Sequence, residues 1–84
     1  MTAPMSPEDA TARIIALAAK QYGRPVDSLA ADADLFESLG IDSFAALDLL
    51  TRLEEHFRCE IPDWELQGVT TFAGLGAIVA RRAS

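Results

Sequence analysis

The fold is decided by residues 39–57, LGIDSFAALDLLTRLEEHF, in which a short loop leads into a helix with an apolar face. When the helix is projected at about 3.6 residues per turn, its apolar side chains gather along one side. They are Ala46, Leu50, Leu53 and Phe57, with Leu49 at the margin. This stripe predicts a helix that begins at Asp42 or Ser43, ends before Pro62 and packs one face into a core.

The outward side of this helix carries apolar residues as well as acids. It presents Phe44, Leu47, Asp48, Thr51 and Glu55, which we call the docking face. A surface helix without a partner is usually polar on this side. Exposed apolar groups beside acids instead suit a partner that charge attracts and apolar contact holds. The simpler alternative is that the preceding loop covers Phe44 and Leu47.

Ser43 stands where the loop meets the helix, and two roles are open to it. A serine at this position is most often the helix cap. The N-terminus of a helix also stabilises a phosphate, through its free N–H groups and its dipole. Ser43 is therefore also a candidate for covalent attachment of a phosphodiester.

A helix is predicted upstream of this segment. The letters SPED at residues 6–9 supply a capping serine, a proline at the first helical position and acids at the positive end of the dipole. They predict a helix over about residues 7–22, which Gly23 ends. Its apolar stripe consists of Ala10, Ile14, Leu17, Ala18 and Tyr22.

Two helices are predicted downstream. Asp63 is expected to cap a short turn with the sequence WELQ, which Gly68 closes. Thr70 or Thr71 is expected to cap a last helix over about residues 72–82. Its buried set is Phe72, Leu75, Ile78 and Val79.

The connection between the first and second helices, residues 24–42, is long for so small a chain. Apolar residues recur through it and can be buried: Val26, Leu29, Leu35, Phe36, Leu39 and Ile41. Within it, Asp34 and Gly40 can cap and close one helical turn. We therefore expect a loop packed across the helices rather than a free linker.

These elements predict an all-α fold, a small bundle of three main helices plus one short helix, with a long packed loop between helices one and two. No segment shows the alternation of a β-strand. A chain of 84 residues suits a single domain over residues 1–84, with residues 1–5 as a flexible N-terminal tail.

The net charge of −6 is unevenly distributed along the chain. Most of the acids fall between residues 32 and 65, where only Arg52 and Arg58 oppose them. Nucleic acid is therefore excluded as a partner class, because binding it needs basic surface that neutralises phosphates. Basic proteins, in contrast, would be steered toward this acidic segment. The simpler alternative, which charge alone favours, is a solvated surface that keeps a small protein soluble.

Targeting signals and cysteine content favour a cytoplasmic location. No apolar run approaches the length of a membrane span. The N-terminus lacks the basic flank and apolar stretch of a secretory signal. The single cysteine, Cys59, has no disulfide partner and fits a reducing compartment. We expect a soluble, monomeric, cytoplasmic protein with no membrane partner.

No set of residues assembles an active site. Ser43 lies outside a G-x-S-x-G motif. The only histidine, His56, lies about three and a half turns further along the helix, too far to activate Ser43. A calcium loop over residues 32–43 fails, because Phe36 takes a ligand position and Glu37 the position of the turn glycine. No metal site is predicted, and the chain is not expected to be an enzyme.

The chain resembles the acyl carrier protein family over nearly its whole length. The resemblance is carried by residues 35–63, LFESLGIDSFAALDLLTRLEEHFRCEIPD, and by VTTFAGL at residues 69–75. Its most specific part is LGIDSFAALDLL at residues 39–50, which matches the family's pattern of G-x-D-S followed by an apolar residue. Helix order, length and acidity all agree with this resemblance.

The resemblance implies that Ser43 carries a 4′-phosphopantetheine arm, attached from coenzyme A by a phosphopantetheinyl transferase, with Asp42 as the acid before the attachment serine. The thiol of the arm would hold an acyl, aminoacyl or polyketide group as a thioester. The docking face would contact a loading enzyme and downstream synthases, transferases or tailoring enzymes. Such a carrier needs no catalytic group, because tethering alone raises the effective concentration of its cargo.

Several residues depart from typical fatty-acid carriers. Phe44 stands where leucine is commoner, Ala45 and Ala46 make the start of the helix less polar, and Trp64 is bulky for the short helix. These departures favour a specialised pathway, polyketide or aminoacyl, over primary fatty-acid synthesis. The alternative function is a non-catalytic interaction module of the same fold, which uses the docking face without an arm.

Overall fold

Helices make up the architecture of the computed structural model, which describes residues 5–83. The α-helices are α1 (Pro7–Tyr22), α2 (Leu35–Leu39), α3 (Ser43–Phe57), α4 (Asp63–Leu66) and α5 (Phe72–Ala83). The described residues include no strand, and their one isolated bridge joins Asp34 to Thr71. The predicted all-α fold is confirmed. Its three main helices are α1, α3 and α5, its short helix is α4, and α2 is the turn predicted within the connection.

The starts of the first and last helices follow from their capping residues. Ser6 Oγ accepts a hydrogen bond of 3.1 Å from the backbone N–H three residues later. Gly23 then ends α1 in the left-handed conformation, with a φ of 65°. Thr71 Oγ1 accepts from the Gly74 N–H at 3.0 Å, so Thr71 rather than Thr70 caps α5. In both helices a side-chain oxygen satisfies an N–H that has no partner inside the helix.

The cap predicted for α4 is wrong. Asp63 is itself the first residue of this helix, and Pro62 occupies the capping position without a side-chain hydrogen bond. The reason is the extended backbone of Pro62, with φ of −71° and ψ of 152°, after which the chain turns directly into the helix. Proline has no side-chain oxygen, so α4 depends on contacts with the rest of the protein.

The connection between α1 and α3 is folded, as predicted. A 3₁₀ turn at Val26–Ser28 precedes α2, and the Asp34 carboxylate caps α2. The Leu35 N–H donates to the Thr70 carbonyl over 2.7 Å, which ties the connection to the start of α5. This segment is therefore a structured part of the bundle.

Most of the apolar residues of the connection are buried or half-buried, as predicted: Leu29, Leu35, Phe36, Leu39 and Ile41. Val26 is the exception, since its side chain is 53% exposed. It opens the surface 3₁₀ turn just after Pro25, and Leu29 beyond that turn takes the inward position instead. The prediction of a buried Val26 is therefore wrong.

The core lies where α1 packs against α5, with α3 contributing a third apolar face. The centre of that face is Leu49, which is 1% exposed, with Leu53 and Phe57 following it. Ala46 and Leu50, predicted at the centre, are half-buried. The buried stripe is therefore rotated toward Leu49, with Ala46 and Leu50 at its edge beside a cleft.

The N-terminal tail was predicted over residues 1–5, and residues 1–4 lie outside the described residues. Met5 is partly buried against the core, so this end of the predicted tail is packed. Over residues 5–83, no helix has both the length and the apolar character needed to cross a membrane.

Candidate functional site

The N-terminus of α3 is capped by Asp42. Its carboxylate Oδ1 accepts a hydrogen bond of 2.8 Å from the Ala45 N–H, and its backbone is extended as a cap requires. Ser43 is the first residue of the helix itself. The interpretation of Ser43 as the cap is therefore wrong by one position. Asp42, the residue before the helix, is the one whose side chain accepts a hydrogen bond from a free N–H of the first turn.

The Ser43 hydroxyl is left free by this arrangement. The residue is exposed, and within residues 5–83 its Oγ has no hydrogen-bond partner. It projects from the first turn of a helix of 15 residues, at the positive end of the helix dipole. The geometry therefore offers an accessible hydroxyl where an attached phosphate would be stabilised by the helix.

Phe44 and Leu47 both face solvent on the docking face. Phe44 is 80% exposed and Leu47 is 52% exposed. The alternative that the connection covers them is therefore wrong. Thr51 lies one turn beyond Leu47, and its hydroxyl donates to the Leu47 carbonyl over 3.0 Å. Contact of Phe44, Leu47 and Thr51 with a partner protein stays a prediction.

The acids of the docking face are also available. Asp48 and Glu55 are exposed, and neither forms an ion pair within the part of the chain that the structure describes. Glu54, which is next to Glu55, differs, because its carboxylate accepts from the Ile61 N–H at 3.0 Å and so holds the chain after α3. At 1.5 Å per residue, Glu55 lies about 18 Å beyond Ser43 along the helix axis. The docking face therefore extends well away from the serine.

An apolar cleft of about 280 Å³ opens beside Ser43, between α3 and α4. Its floor and walls are mostly aliphatic or aromatic: Leu35, Phe36, Ala46, Leu47, Leu49, Leu50, Leu66, Val69 and Leu75. Ser43, Asp63 and Gln67 supply the polar groups that line it. Sequence reasoning missed this cleft, because residues of α2, α3, α4 and α5 line it, and a projection of one helix does not contain their relative positions.

Helix α4, which forms one wall of the cleft, is joined to the last turn of α5 by charge. Glu65 accepts hydrogen bonds from both Arg81 and Arg82. The pKa of its carboxyl is lowered mainly because Arg82 donates to it, with Arg81 adding to the effect. The Arg82 guanidinium also lies 5.5 Å from the ring centre of the exposed Trp64. These contacts tie α4 to the end of α5.

The histidine and the cysteine of the chain lie away from Ser43. His56 is exposed in the last turn of α3. Its ring is nearly perpendicular to that of Phe57, and the two ring centres are 5.0 Å apart. Cys59 is half-buried, and burial, followed by the negative charge of Glu54, raises the pKa of its thiol. Among residues 5–83, no three His, Cys, Asp or Glu side chains are grouped as metal ligands.

The region around Ser43 is similar to known proteins. The family model described as a phosphopantetheine attachment site matches residues 12–79. Two relatives, both named non-reducing polyketide synthase pks11 and both from Talaromyces marneffei, are each 36% identical over 72 residues. These 72 residues are 86% of this chain and 3% of each relative, so the chain spans only a small part of the curated relatives that it matches.

Proposed function

The chain belongs to the phosphopantetheine attachment-site family, and from this premise we propose that Ser43 is the residue that bears the 4′-phosphopantetheine arm. Members of this family are carriers rather than catalysts, and the arm is their covalent cofactor. The observation that carries the proposal is the free, exposed hydroxyl of Ser43 at the start of α3. Asp42 does the capping, so the serine is not needed for it.

The surroundings of Ser43 fit a phosphodiester. The first turn of α3 offers the positive end of a helix dipole. The hydroxyl is open to solvent, where a separate transferase can reach it. The Asp42 carboxylate accepts a hydrogen bond from the Ala45 N–H, and this contact holds its negative charge at the helix backbone. These features support attachment at Ser43 over any role in building the helix.

Attachment is a group transfer in which Ser43 is the nucleophile. Its Oγ attacks the phosphorus of coenzyme A that bears pantetheine, and a new P–O bond forms. The P–O bond to the bridging oxygen of the pyrophosphate breaks, and adenosine 3′,5′-bisphosphate leaves. The hydroxyl proton passes to a base of the transferase. The bound arm then supplies a terminal thiol that holds cargo as a thioester.

The proposed cargo is an acyl, aminoacyl or polyketide group of a specialised pathway. A polyketide is supported by the likeness to two proteins named as polyketide synthases. The apolar cleft beside Ser43 supports a cargo with apolar character. A cytoplasmic location belongs to the same proposal, and the lone thiol of Cys59 supports it.

The proposed partners are a phosphopantetheinyl transferase, a loading enzyme and downstream synthases or tailoring enzymes. The carrier is proposed to bind them as a monomer. The docking face supports this assignment, since exposed Phe44 and Leu47 adjoin acids that have no ion pair in the described chain. Apolar groups give such a contact its affinity, and unpaired acids give it a preference for basic surfaces.

Reversing the charge of Asp48 or Glu55 to lysine is expected to weaken partner binding by roughly 3- to 30-fold at low salt, because each change replaces an attraction by a repulsion. The loss should shrink at high salt, where exposed charges are screened. The affinity for the transferase, measured by calorimetry at two salt concentrations, tests this. Asp32→Lys, at an exposed acid outside α3, is the matched control. A loss that ignores salt would rule out electrostatic steering, and a loss equalled by the control would show that the effect is not specific to the docking face.

The proposal as a whole is tested by incubating the protein with coenzyme A, magnesium and a broad-specificity transferase. Intact mass spectrometry should then show the gain of one phosphopantetheine group. If no mass is added while a known carrier in the same tube is modified, the proposal is wrong. That result would favour the interaction module that uses the docking face without an arm.

A further inference from the structure

Two side chains at the end of α1 reach the segment that presents the serine. We call residues 39–45 the attachment segment. The Tyr22 hydroxyl donates to the Ala45 carbonyl over 3.3 Å. The Arg24 Nη2 donates to the Leu39 carbonyl, also over 3.3 Å. Tyr22 and Arg24 lie on either side of Gly23, whose left-handed backbone turns the chain away from α1.

Arg24 fixes the beginning of the attachment segment. Leu39 is the last residue of α2, so its carbonyl has no partner inside that helix. The positive guanidinium is also stabilised there by the negative end of the helix dipole. Gly40 follows with a φ of 69°, and a Cβ on it would lie 3.1 Å from the Arg24 Nη2. The arginine therefore packs over the corner from which the chain leaves α2.

Tyr22 fixes the other end of the attachment segment. Its acceptor, Ala45, lies in the first turn of α3, and the ring is half-buried. Burial raises the pKa of the Tyr22 hydroxyl, and the negative charge of Asp48 raises that pKa further. A tyrosine hydroxyl is protonated at neutral pH in any case, and the raised pKa extends the pH range over which Tyr22 donates to the helix.

The other hydrogen bonds of this segment are local. The Ile41 N–H donates to the Phe36 carbonyl, and the Ala45 N–H donates to Asp42. Such bonds shape the loop without fixing it to a distant element. Leu39 is also buried in the core, but among the described residues the hydrogen bonds from Tyr22 and Arg24 are those that join residues 39–45 to the end of α1.

We propose that Tyr22 and Arg24 are positioning residues that hold the Ser43 hydroxyl in place for transfer of the arm. This inference rests on the proposed attachment at Ser43. Transfer needs the serine oxygen in line with the phosphorus, and a misplacement of about 1 Å in such a reaction can cost on the order of 100-fold in rate. Two hydrogen bonds on either side of Ser43 restrict the positions that its backbone can take.

Steady-state kinetics of arm transfer test this inference, with the carrier as the varied substrate. Tyr22→Phe removes only a hydroxyl, and Arg24→Met keeps an apolar stem without the donor. Each is expected to lower kcat by about 3- to 10-fold, the size of one lost hydrogen bond. KM should stay within about two-fold, because the docking face is unchanged. The double variant should lose more than either single variant.

Two further variants separate positioning from simple loss of structure. Arg24→Lys keeps a donor for the Leu39 carbonyl and should recover most of kcat. Arg13→Met removes an exposed arginine of α1 that has no hydrogen bond to residues 39–45, and it should behave as wild type. Circular dichroism confirms that each variant is folded. If Arg24→Met is unfolded, Tyr22→Phe decides the question.

The possible results are distinct. Variants with wild-type kcat, or with a raised KM alone, would overturn the positioning role while the attachment at Ser43 stands. A wild-type chain that takes no arm would contradict the attachment itself and this inference with it. A selective fall in kcat that lysine restores at position 24 supports the inference.

Discussion

Replacing Ser43 with alanine is expected to abolish addition of the phosphopantetheine arm completely and to leave the fold intact. The reaction is lost because the nucleophilic oxygen is gone. The fold is kept because Ser43 is exposed and caps nothing. Alanine is also the better helix former, so the free energy of unfolding should change by no more than about 0.5 kcal/mol. Intact mass after the transferase reaction and denaturant unfolding measure the two effects.

Asp42→Ala is the matched control for this variant. It removes the carboxylate that accepts from the Ala45 N–H and should cost about 1 kcal/mol of stability. Because it keeps the serine, its modification should be reduced rather than abolished. If Ser43 were the cap, the stability effects would be reversed between the two variants. A Ser43→Ala protein that still gains the arm would show that another residue carries it.

Replacing Gly76 with alanine is expected to destabilise the protein by about 2 kcal/mol, although helix propensity alone favours alanine by about 1 kcal/mol. Gly76 is buried in α5, where Thr11 of α1 packs against it. A Cβ there would collide with Thr11 Oγ1 and lie 3.0 Å from the Thr11 Cα, so the backbone of α1 would have to move. In so small a domain this loss lowers Tm by about 10 °C. Thermal and denaturant unfolding provide the measurement.

The controls for this prediction use the same two helices. Ala77→Gly, at the exposed neighbour of Gly76, should cost about 1 kcal/mol and reports helix propensity without a packing change. Gly76→Ala should cost less when it is made together with Thr11→Ala, because part of the collision is then removed. A Gly76→Ala protein more stable than wild type would mean that α1 and α5 are not in such close contact.

The helices were predictable because their signals are local. Ser6 and Thr71 each cap a helix that starts at the next residue, and Gly23 and Gly40 end helices in the left-handed conformation. Such signals depend on a few neighbouring residues, so they act in the same way in the folded protein. The errors in the predicted caps are also local. Two adjacent residues, such as Asp42 and Ser43, both suit a cap, and the sequence does not decide between them.

The parts of the site that were not predicted arise from contacts between distant residues. Helical projection correctly placed Phe44 and Leu47 outside, since it needs only the period of one helix. It placed Leu49 at the margin, because the position of the core relative to α3 depends on α1 and α5. The cleft depends on the same placement, and the hydrogen bond from Tyr22 to Ala45 joins residues far apart in the chain. No local rule contains these distances.

We propose attachment of the arm at Ser43 of this carrier. Its most direct test is mass spectrometry of the proteolytic fragment that contains Ser43, from protein purified from its native host. The fragment is predicted to carry one phosphopantetheine group on Ser43, with or without cargo on the thiol. A fragment whose Ser43 is unmodified, while the arm is found on a different residue or on none, would contradict the claim.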